Sequence, residues 1–197
     1  MAAVMPRLLN LNLKQMTQCE IKYANRRAEI KHGDIILFRG SSILARLIMY
    51  FDNAYYTHVG VVFEMGGRKF IIDSNSKGVH PDFLSDRIRE YKDFCIIRPN
   101  LIVKIYDAIT QAMNRGEIGT KYDFALLLRI AIVRKTGINI TGLGSSGRDI
   151  CSEFARFYSS FIADTPYAKL DNITPQDFVR HVNDDSNFSI MFNDSII

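Results

Sequence analysis

"HVGVVFEMGGRKFIIDSN", residues 58–75, sets two runs rich in β-branched and aromatic residues on either side of a glycine pair. A Gly-Gly step between such runs predicts a two-residue hairpin, because both central positions of the favoured turn need positive φ. If the turn is centred between Gly66 and Gly67, opposed residues have numbers that sum to 133, so His58 faces Asn75 and Gly60 faces Asp73. His58 and Asp73 are then diagonal neighbours on one face, about 7–8 Å apart at Cα and within reach of each other's side chains. An imidazole oriented by a carboxylate supplies two parts of a nucleophilic triad. A loop of odd length would send Asp73 to the other face. With the register right and the diagonal unused, Asn75 becomes the orienting group.

The remaining part lies downstream. "CSEFARFYSSFIA", from Cys151, has helical periodicity and follows "TGINITGLGSSGRD", a glycine-rich loop. The first turn of a helix presents unpaired N–H groups and the positive end of its dipole, a setting that favours a thiolate and can hold an oxyanion. Cys151 is therefore the candidate nucleophile, His58 the proton carrier and Asp73 the orienting carboxylate.

The rest of the chain fits an α+β domain. "HGDIILF" reads as a turn at Gly33-Asp34, an architectural feature, followed by a strand. "ILARLIMYF" is an amphipathic helix with Ser41 or Ser42 as N-cap. "IVKIYDAITQAMNRG" and "YDFALLLRIAIVRK" are helices stopped near Gly116 and Gly137, "ITPQDFVRHV" is a short helix with proline in its first turn, and "NFSIMF" is a strand. Residues 1–30 read as a helical or irregular arm, and residues 31–197 as the domain.

Bulk properties narrow the function. The 197 residues, 47% hydrophobic and 23% charged, suit one sizeable core. The 25 basic and 21 acidic residues are dispersed, which gives no phosphate-tracking block, so nucleic acid is not an expected partner. Without a long apolar run or a secretory signal, the expectation is a soluble chain, cytoplasmic at synthesis, with at most peripheral membrane contact. Cys19, Cys95 and Cys151 are odd in number and widely spaced, which argues against a disulfide framework and against a paired-cysteine zinc module. A zinc site from His58, Asp73 and Cys151, with or without His32, ranks behind the thiol reading, so no metal or cofactor is expected. His32, His80 and His181, with Cys19 and Cys95, read as structural or solvated.

"GDIILFRG", "YTHVGVVFE", "IIDSNSKGV", "TKYDF", "ICSEFARFY" and "NITPQDF" occur in the order and approximate spacing of a known family. Over residues 33 to about 192 the chain resembles the circularly permuted papain-like thiol hydrolases of the NlpC type, especially the YiiX-like branch, related to the lecithin retinol acyltransferase-like proteins. Histidine precedes cysteine here, as the permuted branch requires. The resemblance implies a permuted papain-like fold with an antiparallel sheet packed on helices, one of which bears the cysteine. It also implies His58 as base and Cys151 as nucleophile. The third position falls on Asp73, where the family usually carries glutamate; one methylene shorter, aspartate reaches His58 only if the strands approach closely or a water bridges them. Tyr122 and Asp123 match a "YD" element that lines the cleft. Tyr56, Ser152 and Glu153, beside the histidine and the cysteine, are candidates for the substrate or oxyanion site. The implied chemistry is cleavage of a peptide, peptidoglycan-type or N-acyl amide through an acyl-thioenzyme. The alternatives are acyl transfer or esterase action on lipid-like groups, or an inert papain-like scaffold. The apolar run "FALLLRIAIVRKTGINI" reads as a core helix; lining the cleft, it would favour a lipid acyl chain.

Overall fold

In the computed structural model the described residues are 16–100, 105–115, 123–138, 150–162, 170 and 173–192. In chain order they form α1 (Gln18–Arg26), β1 (Ile35–Arg39), α2 (Ile43–Asp52), β2 (His58–Met65), β3 (Arg68–Asn75), β4 (Gly78–Phe83), α3 (Leu84–Glu90) and β5 (Asp93–Pro99). They continue with α4 (Ile105–Arg115), α5 (Phe124–Thr136), α6 (Cys151–Ile162), α7 (Pro175–His181), a 3-10 turn at Val182–Asp184, and β6 (Phe188–Phe192). The strands make one antiparallel sheet in the order β4-β3-β2-β1-β5-β6. The chain is thus an α+β fold.

The hairpin forms in the expected register. Gly66 and Gly67 take φ of 59° and 73°, as a turn matched to the sheet's twist requires, and Val61 pairs with Ile72 and Met65 with Arg68. β1 shows why both faces are covered: Ile35 and Leu37 point into one apolar layer, while Ile36 and Phe38 point into another. The first layer packs under α4, α6 and α7, with Val59, Val61, Phe154 and Tyr158 at its centre. The second lies beneath α1 and α3, with Val62, Ile71, Leu84 and Ile88.

Part of the N-terminal segment belongs to that second layer. Thr17 caps α1, Cys19 and Tyr23 are buried there, and the Lys22 ammonium sits 2.7 Å from Asp93 on β5. Three elements that apolar periodicity does not announce also appear. β4 carries Pro81, which a strand tolerates here because β4 is at the sheet's edge. α3 is only seven residues long, and β5 follows it almost directly. Ser42 caps α2 by accepting from the Ala45 N–H at 3.1 Å.

Candidate active site

His58 opens β2, and its ring lies on the face that carries Phe38 and Tyr91. It stacks nearly parallel to Tyr91, at 9° with 5.6 Å between centroids. His58 Nε2 and Asp73 Oδ2 are 2.6 Å apart, so the diagonal contact is direct. Gly60 explains how the shorter aspartate reaches: it sits across from Asp73, where a Cβ would lie 3.0 Å from the Asp73 Cβ and 2.6 Å from Ile71 Cδ1. A side chain in that space would have to push Ile71 aside and press on the Asp73 Cβ.

Asp73 is fully buried, and both its oxygens are used. Oδ2 meets His58, while Oδ1 accepts from Asn75 Nδ2 at 3.0 Å and from Arg87 Nη2 at 3.1 Å. Asn75 therefore orients the carboxylate rather than the imidazole. Arg87 also pairs with Asp82 and Glu90 at 3.1 and 2.9 Å. Burial would push the Asp73 carboxyl up, but the charges and hydrogen bonds of His58 and Arg87 outweigh it and hold the group below its usual range. Burial likewise pulls His58 down, yet the negative charges that Tyr91, Cys151 and Asp73 can carry raise it well above the ordinary imidazole value. Tyr91 is itself pushed up, chiefly by burial, so at neutral pH it is uncharged and Asp73, in contact with the ring, is the fixed negative charge beside it. With Nε2 committed to Asp73, Nδ1 is the nitrogen left to exchange a proton.

Cys151 begins α6, where the Ile150 carbonyl accepts from the Glu153 and Phe154 N–H groups at 3.0 and 3.3 Å. The helix packs on β2 and β3 from the face opposite Tyr91. His58 is the first residue of its strand and Cys151 the first of its helix, and they are near enough for a charge on Cys151 to act on the imidazole. They share no hydrogen bond among the described residues, and Cys151 is 3% exposed.

"ITPQDF" braces both. Gln176 Oε1 on α7 accepts from the Tyr55 and Tyr56 N–H groups at 2.8 and 3.1 Å, fixing the approach to His58. The Ile173 carbonyl accepts from Ser152 Oγ at 2.7 Å, fixing the start of α6. Thr174 Oγ1 donates to Asp52 Oδ2 at 2.7 Å, and Arg180 bridges Asp52 and Asp177 at 3.1 and 3.0 Å. The two halves of the site are thus held by one short segment.

Two recesses flank them. One, of about 170 Å³, is lined by Ser42, Ile48, Thr57, His58, Asn75 and Tyr91. The other, of about 20 Å³, is apolar and touches Cys151, with Phe51, Ile130, Ile150 and Ile173 in its wall. Ile48 and Thr57 line both and form the partition between them.

The other candidates fall as follows. Ser152 is a buried tether. Glu153 is half-buried in the first turn of α6. Tyr56 is 1% exposed in the apolar core, edge-on to Tyr55. Asp123 caps α5 by accepting from the Leu126 N–H at 2.9 Å, while Tyr122 and the glycine-rich loop lie outside the described residues. His32 accepts from the Glu64 N–H at 3.1 Å, and Glu64 is six residues along β2 from His58. That separation is about 20 Å, too far for a shared ligand set. Among the described residues no group of three or more His, Cys, Asp or Glu is placed to hold a metal. Cys19 and Cys95 are buried, and the Cys19 thiol is pushed up to about 12, mainly by burial. Sequence reasoning missed Arg87 and Tyr91. Arg87 did leave a signal: it shares the inward phase of Leu84 and Ile88, where an arginine is out of place unless a buried acid awaits it.

No family model matches the chain, and no curated protein does. Among solved structures it is similar to the metalloprotein yiiX from Escherichia coli O157:H7, at 18% identity and a TM-score of 0.43, over 56% of this chain and 68% of that one. No helix among the described residues is long and apolar enough to cross a membrane.

Proposed function

We propose that the protein is a thiol-dependent hydrolase of permuted papain-like design, acting on an amide bond through an acyl-thioenzyme. The observation that carries this reading is the 2.6 Å contact between His58 Nε2 and a buried, doubly anchored Asp73, with Cys151 in electrostatic reach of the same imidazole. A raised imidazole beside a thiol favours the imidazolium–thiolate pair, the form a nucleophilic cysteine needs. The Cys151 thiolate attacks the carbonyl carbon, and the carbonyl π electrons move to oxygen. The first-turn N–H groups of α6 are the nearest donors for that oxyanion. His58 gives its proton from Nδ1 to the departing amine as the C–N bond breaks, leaving a thioester on Cys151. A water, losing its proton to the same nitrogen, then attacks the thioester and restores the thiolate. Another hydroxyl or amine in place of water turns the reaction into acyl transfer.

The near-complete burial of Cys151 and the missing hydrogen bond to His58 favour a second reading, an inert scaffold. Alkylation by iodoacetamide, followed site by site against pH, separates the two. The hydrolase predicts that Cys151 reacts well below pH 8, ahead of Cys19 and Cys95, and that His58→Ala removes this advantage. Loss of the proton carrier also costs turnover about 10²–10⁴-fold on any substrate found. A Cys151 as slow as the other two thiols in the folded protein rejects the hydrolase.

A further inference from the structure

α2 is apolar on both sides. Its inner side supplies Leu44 and Ile48 to the recess beside His58, and Ile48 and Phe51 to the one beside Cys151. Its outer side carries Ile43, Leu47 and Tyr50, which are 79%, 48% and 67% exposed. These positions, spaced i, i+4 and i+7, form one stripe along the helix. Aliphatic and aromatic residues standing this far into solvent on one face mark an interaction site rather than ordinary surface scatter.

The surrounding charge says what kind. Arg46 projects from the same exposed side, and Lys135 of the neighbouring α5 places its ammonium 4.6 Å from the centre of the Tyr50 ring. The one acidic residue of α2, Asp52, is turned inward and paired with Arg180. Ile138, three residues beyond Lys135, is also exposed, at 63%. The chain as a whole carries a net charge of +4. A stripe of aliphatic side chains with a tyrosine, flanked by cations on a helix with no exposed carboxylate of its own, complements the interface of an anionic bilayer: apolar groups enter the acyl boundary, tyrosine sits at headgroup level and the cations meet lipid phosphates.

We infer that α2 docks the protein onto anionic membrane surfaces through Ile43, Leu47 and Tyr50, with Arg46 and Lys135 supplying the electrostatic attraction. This docking does not depend on the thiol-hydrolase reading.

The test is sedimentation of the full chain with vesicles of phosphatidylcholine alone or mixed with phosphatidylserine. The expected result is binding to the mixed vesicles, at least tenfold weaker to phosphatidylcholine alone and weakened by salt. Ile43→Ser/Leu47→Ser/Tyr50→Ser should lose binding at least tenfold with unchanged circular dichroism, since substitutions at such exposed positions cost little stability. Should that variant misfold, Arg46→Glu/Lys135→Glu, expected to lose the preference for phosphatidylserine, carries the test. Absence of binding to the mixed vesicles, or equal binding by the folded variants, overturns the proposal. So does a wild-type dimer that the triple variant dissolves, which would assign the stripe to a second copy of the chain. Cys151 alkylation in the triple variant should match wild type, so a failed docking surface and a failed thiol reading give different results.

Discussion

Asp34 and Asp73 are both buried aspartates held by an arginine, and they behave in opposite ways. Asp34 receives Arg98 through two bonds of 2.8 Å and the Lys31 N–H at 2.7 Å, yet burial outweighs these partners and its carboxyl is raised. Asp73 is at least as buried, has a single bond from its arginine, and is lowered. The difference is His58. A cationic imidazole in direct contact with Oδ2 gives Asp73 two hydrogen-bonded cations, whereas the second cation near Asp34, Lys69, acts on it only through space. One aspartate ties a turn to a strand at the cost of its own desolvation. The other is built to stay charged, which an orienting carboxylate must do.

Removing each carboxylate is the strongest way to break this contrast. Asp73→Ala strands a buried imidazole and Arg87, whose side chain is only 11% exposed, and should cost about 3–5 kcal/mol in urea unfolding. Asp34→Ala should cost less, about 1.5–3 kcal/mol, because Arg98 is 19% exposed and can turn to water. Equal losses, or the reverse order, would show that the histidine adds nothing to the anchoring of Asp73. Gly60→Ala attacks the same contact from the neighbouring strand. The added methyl meets Ile71 and Asp73, should cost about 1–3 kcal/mol by overpacking, and should slow Cys151 alkylation by displacing the carboxylate from His58.

Acid titration sharpens the comparison through opposite signs. A carboxyl lowered in the folded state binds its proton more readily when unfolded, so the stability Asp73 contributes is present above the ordinary carboxylate range and lost as pH falls through its folded value. Asp34 is raised, so the folded state takes up the proton first and its burial penalty is relieved as pH falls. In unfolding measured from pH 6 downward, Asp73→Asn should lose stability less steeply than wild type and Asp34→Asn more steeply. Parallel curves would mean that the two sites titrate alike.

Much of this geometry is legible in the amino-acid sequence. Gly66-Gly67 fixed the hairpin's length, its length fixed the register, and the register made His58 and Asp73 diagonal partners. Each step depends on short-range backbone geometry. Arg87 and Tyr91 were not legible in that way, because they reach His58 and Asp73 from α3 and the turn after it, a seven-residue helix of weak periodicity that follows a proline-bearing edge strand. The role of Gln176 was hidden for a related reason. A glutamine that accepts two backbone N–H groups some 120 residues away leaves no local pattern, although "ITPQDF" read correctly as a proline-started helix.

The smallest effect belongs to the alkaline side. His58 is raised in the folded state, so the stability it contributes is present below the ordinary imidazole value and lost as pH rises through its folded value. Tyr91 bears on that loss only when ionised, and burial delays its ionisation. Tyr91→Phe keeps the ring stacked on the imidazole, so near pH 7 it should change stability by less than about 1 kcal/mol and leave Cys151 alkylation unchanged. The variant's His58 lacks the negative charge Tyr91 can carry and should deprotonate at lower pH than wild type, as read from the imidazole carbon-bound proton shifts in NMR. An unshifted His58 titration would mean that Asp73 and Cys151 alone hold the imidazolium, and a large loss of alkylation at neutral pH would make the Tyr91 hydroxyl part of the proton relay.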